Sequence, residues 1–379
     1  GGVAWCPPPR GAAPQTRTGS GGGGGAAGGV PTHANYPHHR ARLLAALGTP
    51  EAPDAVAAAL AGRSAREVEE TVTAAGGLAV ALRTPEEWGA HEQATAVARL
   101  PLVERVRLDS APAREFAAVD GGGPLLPAAG LRVLDLTRVI AGPVATRTLA
   151  LLGADVLRLD PPGLPELPDQ HTDTGFGKRS ALLDLVGDRE RFEELLAGAD
   201  VVVTGYRPGA LDRFGLGAEA LAERRPGVVV AQLSAWGATG PWAGRRGFDS
   251  LVQVATGIAH VERGPEGRPS ALPAQALDHG TGYLLAAGVL RALSDQAEAG
   301  GSRLVRVALA RTAAELAAGA GDRVTGEPGT DLSPAPWLTE RDSTLGRLRY
   351  ALPPVDFEGG PRDWSRAPGA WGADTARWL

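Results

Sequence analysis

Asp278 is the one carboxylate in the segment AQALDHGTG at residues 274–282, which directly precedes an apolar helical pattern over Tyr283–Leu293. Asp278 is typical of a helix N-cap, the ordinary structural role of an aspartate there. A helix N-terminus also favours the ionised carboxylate, which is the form that attacks a carbonyl carbon. Gly280 and Gly282 carry no side chains, so a substrate could approach closely. The pattern is therefore consistent with a structural cap, a nucleophile or both.

Further candidate residues flank predicted strands. The turn over residues 137–143 joins the strand at 133–136 to a helix, and in open α/β sheets ligands bind at the carboxyl ends of strands. The turn lacks the Gly-x-Gly-x-x-Gly spacing, so it does not predict a pyrophosphate cradle. Four cations lie in the segments that follow, where they could pair with phosphates, although each alone is more often a solvated surface charge. They are Lys178, Arg179, Arg207 and Arg213.

Composition excludes several classes of function. The chain has 379 residues, is 43% hydrophobic and carries a net charge of -5, so it has no basic excess to bind nucleic acid. A single cysteine, Cys6, excludes an internal disulfide framework and indicates a cytoplasmic protein. No apolar run is long enough for a membrane span, no signal-peptide pattern is present and no histidine has metal-ligand spacing. The absence of methionine and the Gly-Gly start lead us to expect a truncated or processed N-terminus.

The residue pattern predicts five segments. They are a disordered Gly/Pro-rich stretch (1–34), a small mixed α/β domain (35–118), a linker (119–130), a doubly wound, largely parallel Rossmann-like α/β domain (131–318) and an extended C-terminal arm with little regular structure (319–379). Within the small domain, Thr84 followed by Pro85 predicts a helix N-terminus.

Several motifs, in this order, resemble those of the class III CoA-transferases, the CaiB/BaiF family. They are LRVLDLTRVIAGP (131–143), GKRSALLD (177–184), GYRPGALDR (205–213), GFD (247–249) and the segment around Asp278. The resemblance spans roughly 131–318 and implies a Rossmann-like CoA-binding domain. It also implies that the small α/β domain is placed N-terminally here, because Thr84–His91 looks like the family's late Thr/Ser-x-Glu-Glu-Trp pattern.

The resemblance implies roles for these residues. The residue matching Asp278 is the family's nucleophile. Arg213 matches an arginine that contacts CoA, and the other implied CoA-binding residues are Lys178, Arg179, Arg207, Val139, Ile140 and Ala141. The N–H groups of Gly280 and Gly282 are predicted to stabilise the oxyanion of a tetrahedral intermediate.

The resemblance also bears on substrates and assembly. No cofactor is permanently bound, since CoA and acyl-CoA are substrates. Relatives form interlocked homodimers, so we expect a homodimer, and whether it interlocks stays open. Formyl-CoA transferases carry Gln where this chain has Ile140, which argues against oxalate or formate. Together with Val252, Val254 and Ile258, Ile140 favours an apolar acyl group.

Two other readings stay open. An α-methylacyl-CoA racemase of the same family needs an acid/base pair, but Phe248 occupies the position of its histidine. A degenerate CoA-binding or dimerisation protein is suggested by the shifted domain order and the absence of a recognisable Gly-rich loop after the nucleophile. His279 invites a general-base role, yet adjacent helical residues do not face one another.

Overall fold

The computed structural model describes residues 36–116, 123–264, 266–319 and 333–379. Helices occupy α1 Pro37–Leu47, α2 Pro53–Ala61, α3 Ala65–Ala74, α4 Pro85–Gly89, α5 Glu92–Ala98, α6 Ala141–Leu151, α7 Pro168–Thr174, α8 Arg189–Gly198, α9 Ala218–Arg224, α10 Asp249–Ala255, α11 Ile258–Val261, α12 Ala276–Ala299 and α13 Leu309–Gly319. Strands occupy β1 Glu104–Arg107, β2 Arg132–Leu136, β3 Asp155–Asp160, β4 Arg179–Leu182, β5 Val201–Thr204, β6 Val229–Ser234, β7 Arg303–Ala308, β8 Leu338–Ser343 and β9 Gly346–Ala351.

Seven strands form one sheet in the order β1-β7-β6-β5-β2-β3-β4. Strands β6, β5, β2, β3 and β4 pair in parallel, and β1 joins the edge antiparallel to β7. Strand β2 is an interior strand: Leu134 lies opposite Leu157 of β3 on one side and Val202 of β5 on the other. The chain leaves β2 toward β3, whereas β5 begins the other half of the sheet. This reversal creates a crevice at the carboxyl ends of β2 and β5.

The central strands form because their apolar runs are buried on both faces of the sheet. Val201, Val202 and Val203 are fully buried, and one core cluster joins Leu134 and Leu157 with Phe192 of α8. The predicted doubly wound, largely parallel α/β fold is confirmed.

Contacts divide the chain into two compact units. Of the residues that the structure describes, those within 1–102, 234–277 and 308–321 form one unit, and those within 103–233, 278–307 and 322–379 form the other. This grouping differs from the predicted domain boundaries, since residues 234–277, which follow β6, belong with the N-terminal helices. Side-chain contacts give the reason: buried Gln93 donates to the carbonyls of Trp236 and Thr239 and accepts from the N–H of Trp242.

Of the local structure predictions, the helix cap at Thr84 is confirmed and the irregular C-terminal arm is wrong. The Thr84 cap is confirmed, since its hydroxyl accepts from Glu87 N and the Glu87 carboxylate accepts from Thr84 N. The C-terminal arm was predicted to have little regular structure, but β8 and β9 form an antiparallel hairpin there. Of the predicted segments, residues 1–34 lie outside the described residues, as do parts of the linker and of the arm.

Candidate active site

The turn between β2 and α6 has an unusual backbone conformation. Val139 has φ +71°, and it is the one non-glycine residue with positive φ among the residues that the structure describes. A β-branched side chain is disfavoured in this region, so surrounding contacts must hold it there. Val139 N donates to the Glu166 carboxylate at 3.0 Å. The three turn residues predicted to bind CoA, Val139, Ile140 and Ala141, therefore sit on a fixed backbone at the carboxyl end of β2.

A buried ion pair lies beneath this turn. Lys178 Nζ donates to Asp135 Oδ2 and to the Pro143 carbonyl, each at 2.9 Å. Asp135 also accepts from Thr137 N at 2.9 Å and from the hydroxyls of Thr137 and Thr146. The network connects the end of β2, the first turn of α6 and the residue preceding β4.

Burial and neighbouring charges shift the pKa values of both ionisable groups of this pair. Burial opposes the charge on Asp135, but the neighbouring Lys178 and Arg158 outweigh it and hold the pKa of Asp135 below its ordinary value. For Lys178 burial prevails over the Asp135 carboxylate and lowers the pKa to about 8. Since the contacts of Lys178 within the chain occupy its ammonium, its role in CoA binding stays a prediction.

A second charged network flanks the turn. Arg158, 1% exposed, pairs with Asp160 at 2.7 Å and with Glu166 at 3.0 Å. Arg138 donates to the carbonyls of Leu164 and Pro165. These charges also act on Tyr206: burial raises the pKa of the Tyr206 phenol to about 12, against the opposing effect of Arg138.

Asp278 lies in the first turn of α12, because the helix begins two residues earlier, at Ala276. It is therefore a first-turn acid rather than the N-cap, and it is 6% exposed. One turn further on, a Cβ added to Gly282 would lie 2.5 Å from the Ala141 carbonyl oxygen and 2.9 Å from Val144 Cβ. Residues four apart share a helix face, so Asp278 lies on the face of α12 that packs against the start of α6.

The helical position of the two glycines argues against their predicted oxyanion role. Gly280 and Gly282 are the fifth and seventh residues of α12, counted from Ala276. In an α-helix such N–H groups are already bonded to the carbonyls four residues back, and only the first turn has unpaired N–H donors. Gly282 instead permits close packing of α12 against α6.

The predicted phosphate ligands fall into two classes. Arg207, in the loop after β5, and Arg213, in the 3₁₀ turn Asp212–Phe214, are exposed. The two loops at the crevice touch, since a Cβ on Gly205 would lie 3.4 Å from Thr137 Cβ. Arg179 is buried and forms a bidentate pair with Asp155. Its role in CoA binding also stays a prediction.

The environment of His279 is set by burial and by the charges of Arg147 and Asp173. Burial lowers the pKa of His279, and Arg147 lowers it further while Asp173 opposes. Arg147 on α6 donates to the carbonyl and carboxylate of Asp173. The imidazole is therefore held neutral near pH 7, within the field of the Arg147–Asp173 pair.

Sequence reasoning missed the acids and arginines that support the turn, namely Asp135, Arg138, Arg158, Asp160 and Glu166. Asp135 and Arg158 interrupt apolar strand runs, and a charge within a buried strand is itself a signal of a partner. Glu166 gives no comparable signal, because it lies in a Pro-rich loop whose path is set by tertiary contacts.

Comparison with known proteins identifies the class. The profile of CoA-transferase family III matches residues 128–323, just over half of the chain. The chain belongs to this family, as the motifs predicted.

Curated relatives are similar over about half of this chain. "Probable fatty acyl-CoA transferase Rv3272" of Mycobacterium tuberculosis is 35% identical over 210 residues, covering 52% of this chain and 53% of the relative. The formyl-CoA:oxalate CoA-transferase of Streptomyces coelicolor is 36% identical over 193 residues, covering 48% and 47%. The succinyl-CoA–L-malate CoA-transferase beta subunit of Chloroflexus aurantiacus is 35% identical over 207 residues, covering 50% and 51%. The chain thus spans about half the length of these relatives.

A crystal structure of Rv3272 supports the fold. It is 34% identical, covers 55% of this chain and 61% of its own, and has a TM-score of 0.50. Within the described parts of the chain, no helix is long and apolar enough to cross a membrane. No cluster of three potential metal ligands (His, Cys, Asp or Glu) occurs among those residues either.

Proposed function

We propose that this chain carries the CoA-binding and nucleophilic part of a CoA-transferase, which moves CoA from an acyl-CoA donor to a carboxylic acid acceptor. Asp278 is the proposed nucleophile. The observation that carries the proposal is the placement of this buried carboxylate in the first turn of α12, on the face that packs against the β2–α6 turn. Family membership supports the reaction type.

The first half-reaction transfers CoA to the protein. The Asp278 carboxylate attacks the thioester carbonyl of the donor, and the tetrahedral intermediate expels CoA as its thiolate. This leaves a mixed anhydride between Asp278 and the donor acyl group. The thiolate then attacks the Asp278 carbonyl of that anhydride, which releases the donor as a carboxylate and leaves an Asp278–CoA thioester.

The second half-reaction reverses these steps with the acceptor. The acceptor carboxylate attacks the thioester carbonyl, expels CoA thiolate and forms a second mixed anhydride. Attack of the thiolate on the acceptor acyl carbon gives the product acyl-CoA and restores the Asp278 carboxylate. No proton, electron or metal ion is consumed, so positioning and oxyanion stabilisation are what the protein must supply.

Local electrostatics support an ionised nucleophile. A carboxylate in the first turn of a long helix is stabilised by the unpaired N–H groups and by the helix dipole. Nucleophilic attack requires the ionised form, so no separate base is needed and a neutral His279 is compatible with the reaction. Donors for the oxyanion would come from N–H groups of the first turn of α12 or from the β2–α6 turn rather than from Gly280 and Gly282.

The substrates are proposed more broadly. Relatives are named for fatty acyl, formyl, oxalate, succinyl and malate substrates, so the comparisons span apolar and dicarboxylic acids. Ile140 at the β2–α6 turn favours an apolar acyl donor. We also propose a cytoplasmic homodimer that binds CoA only as substrate. Light scattering of the purified protein would test the homodimer.

The decisive experiment is intact-mass spectrometry of the protein incubated with a panel of acyl-CoAs, with and without hydroxylamine. We expect a CoA-sized adduct that hydroxylamine removes and that is absent from Asp278→Asn. Glu190→Gln is the matched control, because Glu190 is an exposed acid in the first turn of another helix, α8. It should form the adduct at the rate of the unmodified protein.

Two results would overturn the proposal. An adduct that persists in Asp278→Asn would place the nucleophile elsewhere. Retained CoA binding without any adduct would exclude a transferase within this chain, and exchange of the α-proton in deuterated water would then indicate a racemase.

A further inference from the structure

We infer that Glu166 is a positioning residue that clamps the β2–α6 turn in its left-handed conformation, and so sets the affinity of this chain for acyl-CoA. The inference rests on the proposed function for its substrate. No family motif quoted above contains Glu166, which lies in the loop between β3 and α7.

The turn needs such a clamp because Val139 is strained. At φ +71° its branched Cβ crowds its own backbone, a conformation that glycine adopts freely and valine does not. Strain of this kind persists only where the surrounding structure holds it, and it concentrates where ligands bind. Without a partner for Val139 N, the turn would relax toward a negative φ.

Glu166 supplies that partner, and its own position is fixed from several sides. Its side chain is fully buried. Oε2 accepts from Val139 N and from Arg158 Nη2, each at 3.0 Å. Oε1 accepts from Leu167 N at 3.0 Å and from Arg138 Nη2 at 3.4 Å. All four of these partners are donors, so a carboxylate fits this position and an amide does not.

The clamped turn is next to the start of α6, which packs against α12, the helix that carries the nucleophile. Ala141, two residues after Val139, presents the carbonyl that faces Gly282, and Asp278 lies one turn before Gly282 on the same face. A shift of the turn would therefore change the surface against which the start of α12 packs. Ligand binding and turn conformation are coupled, so a partly populated turn weakens apparent affinity in proportion to the lost population.

Glu166→Gln tests the clamp with little change in shape. The glutamine amide has one NH₂ group, which cannot accept a hydrogen bond. In one orientation this group faces the donors Val139 N and Arg158, and in the other it faces Leu167 N and Arg138. In either orientation the hydrogen bonds that fix the turn are weakened. We expect the acyl-CoA concentration for half-maximal adduct formation to rise by about tenfold, with the rate at saturation nearly unchanged. Glu193→Gln is the matched control, because Glu193 also pairs with two arginines, Arg189 and Arg224, but on the surface.

Val139→Gly tests the mechanism of the clamp. Glycine accepts positive φ without strain, so Val139→Gly in the Glu166→Gln background should restore the half-saturating concentration to within about threefold of its value in Val139→Gly alone. A residue that supports stability alone would lower the melting temperature, and relief of strain at Val139 would not rescue affinity.

Hydrogen exchange over residues 137–144 provides a readout without substrate. Glu166→Gln should exchange faster in this segment than the unmodified protein, and Val139→Gly in that background should not restore the protection of the backbone N–H at position 139. Unchanged exchange and unchanged half-saturation in Glu166→Gln would refute the clamp while leaving the transferase intact. Faster exchange in a protein that forms no adduct would retain the clamp and refute the proposed function.

Discussion

At the scale of single residues, the choice of Lys178 is informative because it is the only lysine in the chain; all other basic side chains are arginines, apart from the histidines. Its ammonium is a compact point charge that reaches Asp135 and the Pro143 carbonyl within a buried space. A guanidinium is larger, planar and almost never neutral, so an arginine at this position would bring a wider charged group to the same buried partners.

The lowered pKa of Lys178 predicts a pH dependence of stability. Its pKa is about 8 in the folded protein against 10.5 ordinarily, so between these values the unfolded chain binds the proton and the folded protein does not. Stability rises with pH wherever the unfolded state binds more protons. Relative to Lys178→Met, which does not titrate, the free energy of unfolding should therefore be flat below pH 8 and rise above it.

Urea unfolding of both proteins between pH 7 and pH 9.5 measures this difference. Taking the difference removes contributions from groups that titrate alike in both proteins. A difference that stays flat up to pH 9.5 would mean that the ion pair with Asp135 offsets burial and that the pKa of Lys178 is not lowered.

At the scale of elements, the packing of α12 against α6 depends on one glycine. The start of α6 passes so close to Gly282 that no side chain fits between the two helices. Helix propensity alone favours alanine at a helix interior by about 1 kcal/mol, so the glycine is retained against local preference. Close approach of the two helices is the physical reason.

Gly282→Ala should destabilise the protein by about 1–3 kcal/mol, since its Cβ would lie 2.5 Å from the Ala141 carbonyl and force the helices apart. Formation of the CoA adduct should slow as well, because Asp278 moves with α12. Urea unfolding and intact-mass kinetics measure the two effects. The control is Gly89→Ala in α4, where no atom lies within 4 Å of the new Cβ; it should be neutral or stabilising, and a similar loss in both variants would refute close packing.

The sequence predicts the strands and helices better than it predicts the contacts that hold the candidate site in place. The parallel strands were predictable because Val201–Val203 and Val133–Leu136 are nearly continuous apolar runs. Asp278 was predicted to be typical of an N-cap, because Ala276 and Leu277 carry no capping signal, whereas α12 already begins at Ala276. The Val139–Glu166 contact joins residues 27 apart through the Pro-rich loop after β3, and no local pattern encodes such a contact.

At the scale of the whole molecule, the C-terminal segment joins distant parts of the second compact unit. Asp374 accepts from Ser180 N and donates its own N–H to the Ser180 carbonyl, next to the bridge between Ala181 and Ala373, so the segment adds to the β4 edge of the sheet. Trp378 donates to the Leu195 carbonyl on α8. An exposed strand edge invites pairing with other chains, and this segment covers part of it.

Trp364 provides the anchor of this segment, and its removal should be costly. It is 4% exposed, packs with Leu151 and Phe176 and donates to the Arg147 carbonyl on α6. Trp364→Ala should lower the free energy of unfolding by about 3–5 kcal/mol, because it leaves a cavity and an unpaired carbonyl.

Trp337→Ala is the matched control: Trp337 is 68% exposed, so its loss should change the free energy of unfolding by less than about 0.5 kcal/mol. Equal effects in urea unfolding would mean that the C-terminal segment does not hold α6. A large effect of Trp364→Ala alone, with slower adduct formation, would extend the support of the β2–α6 turn to a residue more than 200 positions away in sequence.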